Sequence, residues 1–228
     1  PGFSGTAPLE TWEKPHAYGE YLSAPVVDAI TADLKSENNQ IQQEAYQLLS
    51  SMGRGVLPML INMVKREENL RVRRLAADLI GQMGPRGEEE IKRALMSESR
   101  PEDRARMLDV IDSVTSDLVT ELRYTLADPK EPVRRSAFRL AERLDRAEVT
   151  ALLIELAQSA DAETAVSAVT VLGKRRTNRA SDVLLKLLAA SEETDVLMAV
   201  CRAMGQIGDP DFIEPLARIL FPRRLLRL

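Results

Sequence analysis

GVLPMLINMVKREENLRVRRLAADLIGQMG, residues 55–84, decides the fold. Val56, Leu57, Leu60, Ile61 and Val64 recur at i, i+4 and i+8, the spacing that lines one face of a helix. KREEN then reads as a polar turn. Leu70, Val72, Leu75, Ala76, Leu79, Ile80 and Met83 form a second apolar stripe, and Gly84 followed by Pro85 stops it. One such pair of helices cannot bury both stripes by itself, so it needs neighbours of the same kind.

The neighbours are in the chain. Ile30, Leu60, Ile91, Leu122, Leu152, Leu184 and Leu216 align at spacings of 30, 31, 31, 30, 32 and 32. Four residues after each stands another aliphatic: Leu34, Val64, Leu95, Leu126, Leu156, Leu188 and Leu220. A second frame runs through Ile41, Val72, Asp103, Val133, Thr164 and Val196. Ala45, Ala76, Ala137 and Ala168 share a register position, with Val200 in the sixth unit, where a small side chain lets helices approach closely. Gly81, Gly173 and Gly205 share another, costly in a helix interior unless a close contact excuses it. A fixed period of this length marks a stacked repeat array. The fold class is all-α, with about six helix–turn–helix repeats and a partial seventh beginning near Asp211.

Composition agrees with that class. Aromatic residues make up only 4%, and the apolar content is mostly Leu, Ala, Val and Ile, which fill helix–helix interfaces. The net charge of −4 argues against a dedicated nucleic-acid binder. No apolar run approaches the length of a membrane-spanning helix. A single cysteine, Cys201, excludes an internal disulfide and a cysteine zinc site, and fits a reducing, cytoplasmic setting.

Residues 1–24 differ from the rest and read as an irregular segment or linker. The chain's only Trp (Trp12), its only His (His16), Tyr18 and Tyr21 all lie there, which suggests that part of it packs onto the first repeat. The repeats occupy residues 25–228. Because the chain opens on Pro1, it reads as one domain of a longer protein.

VRRLAADLIGQMG, echoed by VRRSAFRLAERL (133–144) and by VLMAVCRAMGQIG (196–208) with its trailing Asp-Pro, resembles the HEAT repeat in its short bacterial, phycobilin-lyase-related form. The resemblance covers about residues 25–221. It is closest in units 2, 4 and 6, and looser in units 3 and 5, where Asp103 and Thr164 stand at the valine position. It implies a right-handed α-solenoid whose second helices line a concave face. It implies no particular activity, because one repeat architecture serves many.

Candidate residues follow from that placement. Two paired arginines, Arg73–Arg74 and Arg134–Arg135, are either a phosphate-binding stripe or a ladder that bonds turn carbonyls and holds register, as between Arg134 and Asp128; the ladder is the expected use. The concave row reads Gln47, Asp78, Asp109, Arg139, Thr170, Arg202, and one turn later Ser50, Gly81, Asp112, Glu142, Gly173, Gly205. Acid in the middle of both rows suits a protein partner better than a nucleic-acid backbone, which wants one sign throughout. The row Tyr46, Ala77, Leu108, Phe138, Val169, Cys201 is expected to flank the core. Lys174, Arg175, Arg176 and Arg179 read as a solvated basic loop.

Chemistry is thin. His16 lies outside the repeats, Cys201 has no histidine near it in sequence, and no acid–base pair is marked. No catalytic, cofactor-binding or metal-binding residue is expected, and no cofactor. The expected function is a non-enzymatic protein–protein scaffold whose partner is another protein or a neighbouring domain of the same chain. Its candidate partner-binding residues are Arg74, Asp78, Asp109, Arg135, Arg139 and Arg202. The alternatives are a nucleic-acid binder of the alkylpurine DNA glycosylase type, and an enzyme of the bilin lyase type.

Overall fold

The computed structural model describes residues 23–220, and no strand occurs among them. The helix pairs are α1 (Ala24–Lys35) with α2 (Asn39–Ser51), α3 (Leu57–Arg66) with α4 (Leu70–Gln82), and α5 (Pro85–Ser97) with α6 (Pro101–Leu108). They continue as α7 (Val119–Leu126) with α8 (Glu131–Arg143), α9 (Ala147–Leu156) with α10 (Ala162–Lys174), and α11 (Ser181–Ala190) with α12 (Thr194–Ile207). A 3-10 turn, Pro210–Phe212, leads into α13 (Ile213–Leu220), the first helix of the partial seventh repeat. The architecture is all-helical, and within each unit the helix pairs pack on themselves and on the next pair, as in a HEAT-like repeat array. Only Ser23 and Ala24 of the irregular N-terminal segment fall among the described residues; the expected packing of Trp12, Tyr18 and Tyr21 lies outside them.

The chain divides into two compact units, residues 1–116 and 117–228. In each, the aligned rows form the core. Ile30, Leu60, Ile91, Leu122, Leu152 and Leu184 are all buried, and so are Ala45, Ala76, Ala137, Ala168 and Val200. A further row emerges three residues after the small one: Leu79, Val110, Leu140, Val171 and Ala203 are buried, whereas Leu48, their equivalent in the first repeat, is 50% exposed. Ile41 is likewise exposed where its counterparts are buried. One departure concerns the second aliphatic of the first helices. Leu156 is only half-buried, and Leu153 and Ala157 take the interior in its place.

A side-chain device recurs at the turn inside five of the six pairs. An oxygen-bearing residue two positions before the helix cap accepts the cap's N–H: Ser36 from Asn38 (3.1 Å), Glu67 from Asn69 (3.0 Å), Glu98 from Arg100 (3.0 Å), Asp128 from Lys130 (2.8 Å) and Ser159 from Asp161 (3.2 Å). Asn38, Asn69 and Asp161 in turn cap their helices through their own side chains. At the other end, α12 stops on Gly208 in the left-handed conformation (φ 72°), whose N–H returns to the Met204 carbonyl.

The third repeat breaks the pattern. Its second helix, α6, ends at Leu108, whereas the other second helices run 13–14 residues. The chain then forms a short 3-10 turn at Ile111–Ser113, with Val110, Ile111 and Val114 buried. That turn lies on α4: a Cβ at Gly81 would stand 3.1 Å from the Ser113 carbonyl oxygen. In the second unit the equivalent glycine, Gly173, faces α12 so closely that a Cβ would meet Ala203 Cα at 2.7 Å. Gly205, which shares the register, has open space around it, so the close-contact explanation holds for two of the three.

Candidate partner-binding faces

The paired arginines divide their labour. Arg73 is buried, and its Nη1 donates to the carbonyls of Glu67 (3.0 Å) and Glu68 (2.9 Å) in the turn before its helix. Arg134 repeats this on the carbonyls of Asp128 (3.0 Å) and Pro129 (3.2 Å), and reaches Glu163 of the next repeat at 2.9 Å. Gln42 holds the same register in the first repeat and donates to the Leu34 carbonyl at 2.7 Å. In these three repeats the residue after the valine position is therefore a latch on its own turn, as the ladder reading expects. Arg74 and Arg135, one position further on, are exposed.

In the first unit, Arg74 and Asp78 stand exposed on α4. Desolvation pushes the Asp78 carboxyl above its ordinary pKa, against a hydrogen bond with Ser113 and the positive charge of Arg74. Asp109 does not continue a helical row as the sequence register expects. It follows the last residue of α6, is half-buried, and lies 3.7 Å from the latch Arg73. Asp112 sits in the 3-10 turn for the same reason: the helix has already ended.

In the second unit, Arg135 and Arg139 border an open groove of about 290 Å³ between α8 and α10. Phe138, Val166 and Val171 supply its apolar part, and Glu131, Glu142, Glu163 and Lys174 share its charged rim. Arg135 pairs with Glu131, and Arg139 Nη2 meets Ser136 Oγ at 2.8 Å. Across the groove Lys174 bridges to Glu142 at 2.8 Å. Arg202 is exposed on α12, outside this groove's lining. The core-flank row is buried at Ala77, Leu108, Phe138 and Val169, and half-buried at Tyr46 and Cys201. The basic loop differs from expectation at Arg175. Its side chain is nearly buried and ties back to Asp145 (3.2 Å) and to the Ala141 and Arg146 carbonyls, a contact between repeats.

Among the described residues no group of three or more His, Cys, Asp or Glu could hold a metal ion, and no helix is long and apolar enough to cross a membrane. His16 lies outside them.

The family model for HEAT repeats matches residues 149–221. Residues 149–221 are thus HEAT-like, and the helix pairs before them repeat the same helix–turn–helix design. A comparison with curated protein sequences gave no significant match. Solved structures similar to it include human deoxyhypusine hydroxylase in complex with glycerol, at 18% identity over 91% of this chain and 82% of that one, with a TM-score of 0.42. Another is the Pds5–Scc1 complex, at 14% identity, with a TM-score of 0.48, over 86% of this chain but 39% of that one. A third is the complex of CpcE and CpcF of phycocyanin lyase from Nostoc, at 14% identity over 80% and 99%, with a TM-score of 0.27. The latches thus hold α2, α4 and α8 on their turns, and Arg74 and Arg135 beside two of them are exposed.

Proposed function

We propose that this chain is a non-enzymatic scaffold that docks another protein, or a neighbouring domain of a longer chain, through the exposed positions of its second helices. The α8–α10 groove carries the reading. It combines an apolar floor at Phe138 and Val166 with a rim of both signs, the character of a protein–protein interface and a poor match to a continuous phosphate backbone. The participating residues are Arg135, Arg139 and Arg202 in the second unit, and Arg74, Asp78 and Asp109 in the first. The single cysteine supports work in a reducing compartment, the cytoplasm.

The test places a photo-crosslinking residue in living cells at Thr170, exposed on the groove's rim, and at Ala151, which is exposed on α9 outside the groove's lining. A discrete protein adduct should form from position 170 and not from 151, and the purified adduct partner should bind the chain and lose affinity on Arg139→Glu. Equal labelling from both positions would refute the docking face. Copurifying bilin colour would instead support an enzyme of the phycobilin-lyase type.

A further inference from the structure

The third repeat carries a carboxylate where the other repeats carry Ile41, Val72, Val133, Thr164 or Val196. Asp103 is completely buried, and a charge in such a place persists only with compensation. Three arginines supply it. Arg66, at the end of α3, places Nε 3.2 Å from Asp103 Oδ2, and Arg100, the cap of α6, places its Nε 3.7 Å from the same oxygen. Arg106 Nη1 lies 3.4 Å from Oδ1 and also donates to the Lys65 carbonyl at 3.3 Å.

One negative charge thus gathers three positive ones, leaving an excess of two. Glu98, close by in the turn before α6, is already engaged: it takes the Lys65 ammonium at 2.9 Å and the Arg100 N–H at 3.0 Å. Arg66 and Arg100 meet Asp103 through Nε, so both terminal nitrogens of each guanidinium face no second carboxylate among the described residues. These two side chains are also 49% and 55% exposed. Two guanidinium forks, fixed from behind by a buried carboxylate and presented to solvent, have the geometry that receives carboxylates bidentately.

We propose that the Arg66–Arg100–Arg106 cluster on Asp103 docks an Asp- and Glu-rich segment of a protein partner. The inference deepens the docking reading by giving the partner its chemistry, and it uses residues of the first unit, none of which lines the α8–α10 groove. Part of the buried carboxylate's role is then to position the forks: its Oδ2 makes ion pairs but no hydrogen bond of its own.

The experiment uses the full chain and a fluorescein-labelled hexaglutamate peptide, read by fluorescence anisotropy at low salt. Arg66→Gln with Arg100→Gln should raise the Kd at least about tenfold, and Arg123→Gln with Arg218→Gln, exposed on α7 and α13 outside the groove, which removes the same charge from the other unit, by less than about threefold. Circular dichroism checks the fold, and the single Arg100→Gln serves if the double variant fails to fold. Unchanged affinity in the Arg66/Arg100 variant overturns the proposal. Equal losses in the two pairs do so as well, since net charge alone would explain them. Competition by a hexathymidylate as strong as by unlabelled hexaglutamate would assign the cluster to phosphate instead. None of these outcomes bears on crosslinking at Thr170, so the two readings fail separately.

Discussion

Replacing Asp103 separates its charge from its shape. Asp103→Asn keeps the size but removes the counterion of three guanidiniums, and buries an amide whose N–H groups face cations. Those arginine side chains are 30–55% exposed, so solvent takes up part of the lost attraction. About 1 kcal/mol per pair is an upper value, and the total comes to roughly 1–3 kcal/mol. Asp103→Val loses the same attractions, yet it also removes the desolvation of a fully buried carboxylate. It restores the apolar side chain that Val72, Val133 and Val196 bury at this register, worth about 1.5–2 kcal/mol. The valine variant should therefore lie within about 1 kcal/mol of the parent and about 2 kcal/mol above the asparagine variant. Urea unfolding followed by circular dichroism, compared at equal slopes, measures both, and amide exchange in α6 localises the effect. An asparagine variant as stable as the valine variant would refute the reasoning, because neither carries the charge and a buried amide facing cations would then cost no more than a buried valine.

Other outcomes follow from burial, space and charge. Leu79→Ala should cost about 2–5 kcal/mol and Leu48→Ala under about 1 kcal/mol, since the same register position is 1% exposed in one and 50% in the other; thermal melts of the two decide it. Gly173→Ala should destabilise, its Cβ meeting Gln206 and Ala203 inside 3 Å, whereas Gly205→Ala should stabilise by up to about 1 kcal/mol through helix propensity; calorimetry reads both signs. For pH, the Arg100 N–H and then the Lys65 ammonium hold Glu98 below its ordinary range, while at Glu67 burial pushes up but the Asn69 N–H and Lys35 outweigh it. A carboxylate with a depressed folded pKa stabilises the fold above its unfolded pKa and loses that contribution as pH falls through the folded value. The urea midpoint should thus drop between about pH 5 and pH 3, less steeply in Glu98→Gln. Duplex DNA at physiological salt should bind no tighter than roughly 10⁻⁴–10⁻⁶ M by anisotropy; a tighter complex lost on Arg135→Glu would favour the nucleic-acid alternative.

The repeat was legible because burial imposes its period on the aliphatic rows, and each expected helix pair formed. The latch arginines were legible too, since a cation one residue past the valine lies within reach of the carbonyls of its own turn. What the register hid was the end of α6. Asp109 and Asp112 kept the spacing of a helix face while Val110, Ile111 and Val114 turned inward and ended the helix. The Asp103 cluster was hidden for a related reason. The sequence showed an acid out of pattern, but Arg66 comes to it from the preceding repeat, a contact that alignment of like positions does not display. Ile41 looked like core because its row is core elsewhere; it and Leu48 are exposed because none of the described residues stands where a preceding repeat would cover them.

The split between Arg73 and Arg74, and again between Arg134 and Arg135, bears on how such a surface changes over generations. The inward member of each pair is tied to carbonyls that every chain possesses, whatever its side chains. Its neighbour faces outward. Mutation at Arg74 or Arg135 therefore rewrites what the molecule presents while the stacking stays intact, and a library randomised at such outward positions should stay folded across most of its members. An architecture wired this way can exchange one partner for another without first being rebuilt.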